Sequence, residues 1–356
     1  MTSSTKPLHP IAQTILPGPV TAETLAKCRN SAAYQDMCTF FDGWPEDSFM
    51  SDHARCTLYT LVRMMQPKAV AEVGTLFAGT TQVLARALVE NGAGEIHTTD
   101  PYGAERCPGI MAAWPQSLQA VTHFYPLNSM DFFLTLDQRR IGLDLVLVDG
   151  NHDYEFALFD LQMAARLLRP GGIVVMDNAE QTGPFQATRT FLDRHSAWRE
   201  IGDAVKAYDP LNPFDPTRSS VPGTTFILLQ APPHVSVGAG PHSWGQVFTD
   251  MTSMKGISLD LGSTSTAGTL FYQVIFRGFA DGNRAGVELK EVGSLRVEAD
   301  GVARTVVHDL KNPLRWESAA TYPDARYSFE VDLSWQPDPG AGPLALARPP
   351  GAVGGT

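Results

Sequence analysis

Ala69-Val70-Ala71-Glu72-Val73-Gly74-Thr75-Leu76-Phe77-Ala78-Gly79-Thr80-Thr81 is the stretch that decides the fold. Its first five residues form a short, mostly apolar run that Gly74 ends. Over 80–91 apolar residues recur at helical spacing, and Gly92 and Gly94 close the segment. A buried strand therefore turns through glycine into a helix. Glycine allows the sharp turn and a close backbone approach to a ligand, and the helix start offers N–H groups without internal partners.

The same alternation continues downstream. Residues 95–100 read as a strand ending at Asp100, and 143–148 as a strongly apolar strand ending at Asp149-Gly150. A helix over 154–168 stops at Pro170-Gly171-Gly172. Residues 173–176 make a strand ending at Asp177-Asn178, followed by a helix over 185–195 and a strand over 224–229. Near-continuous apolar strands alternating with helices predict a Rossmann-like α/β domain, a doubly wound, mostly parallel sheet covered on both faces. We place this domain at 46–232. Ligands of such sheets bind outside the carboxyl ends of the strands, where Gly74, Asp100, Asp149, Asp177 and Asn178 gather.

Upstream, 51–65 reads as a helix stopped by Pro67. Residues 1–45 read as an irregular lead-in with one helix near 22–36. Pro232-Pro233 marks a change of character. From 240 to 335, strand patterns separated by Gly, Asp and Asn turns (271–276, 287–292, 295–299, 327–333) predict an all-β, sandwich-like domain. The Pro/Gly/Ala-rich segment 336–356 is expected to be a disordered tail.

Composition narrows the partners. The 356 residues carry a formal net charge of −11 and are 43% hydrophobic. A large core is affordable, while nucleic acid and anionic lipid are disfavoured as partners. No apolar run is long enough for a membrane-spanning helix, and no secretory signal is evident. The four cysteines lack CxxC spacing and read as free thiols of a cytoplasmic protein.

Asp100, at the end of the second strand, has the spacing of an acid that binds ribose hydroxyls. A dinucleotide loop would favour G-x-G-x-x-G, and the middle glycine is absent. Two further motifs, Asp149-Gly150-Asn151-His152-Asp153-Tyr154-Glu155 and Met176-Asp177-Asn178, follow neighbouring strands. Asp149, Asp177 and Asn178 would form a hard, oxygen-rich set suited to Mg²⁺, Mn²⁺ or Ca²⁺. The bland alternatives are a helix cap at Asp149 and a turn at Asp177-Asn178.

Together these motifs resemble class I S-adenosylmethionine (SAM)-dependent methyltransferases. They are most similar to the branch holding cation-dependent O-methyltransferases, macrolide-sugar O-methyltransferases and cephalosporin-hydroxylase-like proteins. The resemblance covers roughly 45–230. It implies a SAM site at Glu72, Gly74, Thr75, Gly79, Thr80, Asp100, Asn128, Ser129 and Asp149, with Asn128-Ser129 beside the adenine. It implies a divalent cation, Mg²⁺ first, on Asp149, Asp177 and Asn178, and His152 as general base. The implied activity is methylation of a hydroxyl on a small-molecule or glycan acceptor, a sugar or related polar natural product. Alternatives are an oxidative enzyme of the cephalosporin-hydroxylase kind and a non-catalytic carbohydrate-binding or assembly protein. The β-region could mediate homo-oligomer contacts, bind carbohydrate or cover the acceptor pocket. Tyr102, Trp114 and Tyr208 are candidate substrate contacts. Residues 51–55 are a candidate lid, and His242 and Trp244 are candidates for stacking on a sugar.

Overall fold

The computed structural model describes residues 15–45, 48–139, 141–202, 218–233, 235–237, 242–248, 253–262, 266–280, 285–323, 325–347 and 350–355, with backbone only at 235–236, 242–248 and 355. Tyr208 lies outside the described residues, as do the side chains of His242 and Trp244. The order of the first elements is α1 (Ala22–Arg29), α2 (Ala32–Phe41), α3 (Asp52–Met65), β1 (Ala69–Val73), α4 (Gly79–Asn91), β2 (Glu95–Thr99), α5 (Cys107–Ala112), α6 (Gln116–Ala120), β3 (Thr122–Tyr125), α7 (Ser129–Gln138), β4 (Leu143–Val148), α8 (Tyr154–Leu167), β5 (Leu168–Met176), α9 (Thr182–Arg194), β6 (Arg199–Ile201) and β7 (Ile227–Gln230).

The strands form one sheet in the order β3-β2-β1-β4-β5-β7-β6. β3 through β5 pair in parallel, and β7 runs antiparallel between β5 and β6. The strand period of two sorts side chains onto the faces. Leu145 and Leu147 of β4 join a core with α3 and α4 residues such as Leu58, Leu61 and Leu84. Val146 and Val148 join a second core with Phe132 and Phe133 of α7, Leu161 of α8 and Phe191 of α9. The α/β, mostly parallel sheet covered on both faces is thus the fold of this region.

The single helix expected near 22–36 is two helices. Asn30 ends α1, and the Ser31 hydroxyl accepts the Tyr34 N–H to start α2. A polar Asn-Ser pair that satisfies both helix ends outcompetes continuation. The lead-in is also no loose arm where it is described: Leu25, Tyr34, Met37 and Phe41 are buried in the first core.

Contacts divide the chain into two units, Met1–Leu136 with Ile141–Pro232, and Asp137–Arg140 with Pro233–Thr356. The second is β-rich: β8 (Val235–Val237), β9 (His242–Phe248), β10 (Ser253–Leu261), β11 (Gly268–Ala280), β12 (Ala285–Val297), β13 (Arg304–Arg315), β14 (Arg326–Pro337), β15 (Leu344–Leu346) and β16 (Gly351–Gly355). One sheet runs β13-β10-β15-β8 with β16 also on β10; the other runs β12-β11-β14-β9. Leu259, Phe276, Phe329 and Trp335 share one core between them. The two strands expected at 287–292 and 295–299 are one, since Gly293 and Ser294 keep the ladder to β11 unbroken.

The segment 336–356 corrects the expectation of a disordered tail. β15 pairs with β8 and β10, and β16 pairs with β10. A ladder is made of backbone hydrogen bonds, so a Gly-rich segment can join an existing strand without contributing side chains of its own.

Candidate functional site

The carboxyl ends of β2, β1, β4 and β5 stand side by side. At the end of β1 the Glu72 side chain is wholly buried. Its Oε2 accepts hydrogen bonds from the hydroxyls of Thr81 at 2.5 Å and Thr98 at 2.6 Å. Its Oε1 is buried without a hydrogen-bond partner. Burial pushes the carboxyl up to about 7, against the pull of the two threonines. Gly74 follows with φ +103°, and its N–H donates to the Thr99 carbonyl at 2.9 Å. A Cβ there would stand 2.0 Å from the Asp149 carbonyl oxygen. Glycine is therefore required by conformation and by space.

Leu76 and Ala78, at φ 47° and 60°, hold left-handed backbone on the way to α4. The loop keeps the backbone that glycine usually supplies without having the glycine. Thr75 is buried and its hydroxyl meets that of Thr98 at 2.6 Å. Gly79 and Thr80 open α4, whose first turn has no side-chain cap.

Asp100 closes β2. Its Oδ2 accepts the Leu76 N–H at 2.9 Å and pairs with Arg106 at 3.1 Å, while Oδ1 accepts the Tyr102 N–H at 2.8 Å. Arg106 also donates to the Leu76 carbonyl at 2.8 Å and lies over the Phe77 ring. Arg106 was not legible in the sequence, because a lone arginine in a loop carries no periodic signal.

On the β3 side, Asn128 immediately precedes α7. Its Oδ1 accepts the Asp131 N–H at 2.9 Å and its amide donates to the Asp131 carboxylate at 2.8 Å, so it caps α7. Ser129 hydrogen-bonds the buried Asp160 of α8, whose Oδ1 has no partner and whose carboxyl burial raises to about 6.

Asp149, His152, Asp177, Asn178 and Glu180 are brought together beyond β4 and β5. His152 Nε2 lies 3.7 Å from Asp149 Oδ1, and both side chains stay partly exposed. Burial raises Asp149 to about 8, with His152 opposing and the Asp177 charge reinforcing the shift. His152 is raised by the nearby Asp149 carboxyl, with burial opposing. Asp177 accepts its neighbour Asn178's N–H at 2.6 Å and the Thr225 hydroxyl, and burial raises it too. Asn178 adopts φ 51°, and burial also raises Glu180 nearby. Thr225 and Glu180 were not singled out from the sequence. Among the described residues no group of three or more His, Cys, Asp or Glu side chains is disposed to hold a metal ion.

Of the remaining candidates, Trp114 packs in the first core, whereas Tyr102 is 87% exposed. No helix of the described residues is long and apolar enough to cross a membrane.

Comparison with known proteins returns a methyltransferase-domain family over residues 71–179. No curated protein matches the chain. Among solved structures, the O-methyltransferase TomG from Streptomyces achromogenes, involved in tomaymycin synthesis and solved with SAM, is 19% identical with a TM-score of 0.38. That alignment covers 61% of this chain and 92% of TomG. An O-methyltransferase from Bacillus cereus, solved with SAH, is 16% identical with a TM-score of 0.39, covering 62% and 94%. Cofactor-bound Rv0187 from MTB is 20% identical with a TM-score of 0.39, covering 60% and 98%. The matched segment runs from β1 to just past β5 and contains the Glu72 turn, Asp100, Asp149 and Asp177. Residues 71–179 of this chain are a methyltransferase domain, on the sheet of the class I SAM-dependent methyltransferases.

Proposed function

We propose that the protein is a SAM-dependent O-methyltransferase whose base is His152, polarised by Asp149. The observation that carries the reading is the Glu72–Gly74 turn. Two residues before Gly74, Glu72 Oε1 is a buried carboxylate oxygen without a partner, and Gly74 itself packs tightly on the Asp149 backbone. An ammonium-bearing ligand at this turn would supply the missing donor to Glu72. Asp100 would accept the ribose hydroxyls, with Arg106 giving way. Ser129 borders the adenine. When bound, SAM supplies a methyl group on a sulfonium.

His152 Nδ1 takes the acceptor's hydroxyl proton, and Asp149, beside Nε2, stabilises the resulting imidazolium. Loops at the strand ends hold the acceptor oxygen in line, which supplies much of the acceleration. A divalent cation, Mg²⁺ before others, belongs to this proposal. Two adjacent carboxyls, both driven toward neutrality by burial, suit a cation in charge. Asp149, Asp177 and the Asn178 amide would hold it, lowering the pKa of a bound hydroxyl.

The acceptor class follows the sugar-directed resemblance: a hydroxyl of a sugar or related polar natural product, in the cytoplasm. A second reading, a phenolic acceptor, is favoured by Phe49 and Phe77. Their rings lie 6.0 Å apart, with Phe49 79% exposed in the stretch before α3. The test is methyl transfer from labelled SAM to panels of sugars and phenols, with Mg²⁺ and with excess EDTA. Transfer to neither panel, together with no SAM binding by calorimetry, overturns the proposal. Full activity in EDTA removes the cation from it.

A further inference from the structure

A cavity of about 510 Å³ opens at the end of the sheet opposite the candidate site. Its walls come from the amino ends of β1, β4 and β5, from the start of β6 and the end of β7, and from the lead-in before α1. Asp144 at one end of β4 lines it, whereas Asp149 follows the other end, roughly 15–20 Å away along the strand.

The β4–β5 register makes one wall. Leu143 pairs with Leu168 but Leu145 pairs with Ile173, so the chain bulges over Arg169-Pro170-Gly171-Gly172. Gly171 lies at φ +78°, and a Cβ there would meet nothing within 4 Å. The Gln230 amide ties this wall to two others. Its Nε2 donates to the Val20 carbonyl at 3.2 Å and the Gly171 carbonyl at 3.5 Å, and its Oε1 accepts from Arg199 at 3.0 Å. The walls are thus fixed to one another by polar contacts.

Three cations, Lys68, Arg169 and Arg199, line the cavity against one carboxylate, Asp144. Asp144 is already satisfied. Its Oδ2 accepts the N–H groups of Lys68 at 2.7 Å and Ala69 at 3.0 Å and pairs with Arg169 at 2.7 Å. Arg199 donates to the neutral Gln230 amide, and among the described residues no carboxylate pairs with Arg199 or with the Lys68 ammonium. Two positive charges are left uncompensated in one concavity of a chain whose net charge is −11. Like charges so placed repel each other and gain from a shared anion.

Two uncompensated cations match a group with two negative charges. A phosphate monoester carries about −1.5 to −2 at neutral pH, and its oxygens suit the guanidinium fork. A single carboxylate would leave one cation unmet. The volume is that of a small-molecule pocket, so an organic body enters with the phosphate. No lining residue is aromatic, which leaves no face for a base to stack on, while Thr21 and Gln66 offer a hydroxyl and an amide to a polyol. We propose that this cavity is a second ligand site, taking a phosphate monoester with a sugar or polyol body, whose phosphate Lys68 and Arg199 hold. The site is independent of the function proposed above and stands or falls without it.

The test is calorimetry on the full chain at low salt, with glucose 6-phosphate and glycerol 3-phosphate as probes and glucose, inorganic phosphate and AMP as controls. At least one of the two esters is expected to bind saturably at one site per chain. Glucose is expected not to bind, and phosphate and AMP to bind at least tenfold more weakly. Lys68→Gln and Arg199→Gln, both changes at exposed side chains, are each expected to weaken the ester at least tenfold with an unchanged melting temperature. Adding SAM is expected to leave the ester's Kd unaltered. The wild-type titrations decide by themselves should a variant not fold. Binding of neither ester, phosphate or AMP binding as tightly as the ester, competition by SAM, or full affinity in both folded variants would each overturn the proposal.

Discussion

The α-carbon of Gly74 and the carbonyl oxygen of Asp149 are so close that a single methyl group on the glycine would sit 2.0 Å from that oxygen. The Gly74 turn and the Asp149 loop are therefore one structure, and displacing either displaces both. Gly74→Ala adds a left-handed strain at φ +103° to this clash. We expect a loss of about 2–4 kcal/mol in stability and no measurable SAM binding. Chemical denaturation and calorimetry check both; near-native values in each would show that the two loops move independently.

Glu72 carries an opposed pair of effects. Its folded value of about 7 lies above the ordinary 4.5. The folded state thus binds a proton that the unfolded chain has released, and stability falls as pH rises from about 4.5 to 7. At pH 8 the ionised carboxylate costs about 3 kcal/mol, and Glu72→Gln should recover most of it. The same variant should lose SAM affinity, because the neutral amide no longer pairs with an ammonium. Melting curves at pH 4.5 and 8 are expected to show a gain only at the higher pH, and SAM binding to weaken only there, since at pH 4.5 the wild-type carboxyl is itself protonated.

His152→Ala should lower kcat by about 10²–10⁴-fold while leaving SAM binding intact. Asp149 raises His152 above its ordinary 6.5, so the neutral imidazole becomes scarce as pH falls through that raised value. The acid limb of the kcat profile should lie above 6.5. In Asp149→Asn it should move down, since the group that stabilises the imidazolium is gone. A limb that does not move would assign the proton to another group.

If Asp100 binds the ribose as proposed, Arg106, which pairs with it at 3.1 Å, competes for the same carboxylate. Breaking a partly exposed ion pair is worth up to about 1 kcal/mol, so Arg106→Met should tighten SAM binding by up to about fivefold, more at low salt. Weaker binding would instead mean that Arg106 itself contacts the ligand.

The strands β1, β4 and β5 and the helices after them were legible because burial on both faces demands apolar runs, and glycine or Asp-Asn pairs mark their ends. The site's acids could be placed for the same reason, since each stands at a strand terminus. What escaped were partners joined only by the folded chain. Thr225 reaches Asp177 from 48 residues away, and Arg106 finds Asp100 through a loop whose path no period describes. The missing middle glycine spoke against a dinucleotide loop but could not show the turn's backbone, in which Leu76 and Ala78 are left-handed and the Leu76 N–H donates to Asp100. In the β-region, alternation revealed β11 and β14. It could not reveal β16, whose four glycines and alanines lack side chains to alternate.

That last strand has a consequence for the molecule's behaviour in concentrated solution. β16 runs along Ser253–Ser258 of β10, and β15 meets Leu261. Together they occupy the flank of β10 that β13 does not. Cleavage after Pro337 would bare a row of peptide groups on a strand rich in Met, Ile and Leu, a template for adding a strand from another copy. Trimming this end would then trade solubility for self-association, and it would also take Leu344 and Leu346 out of the core of the β-region.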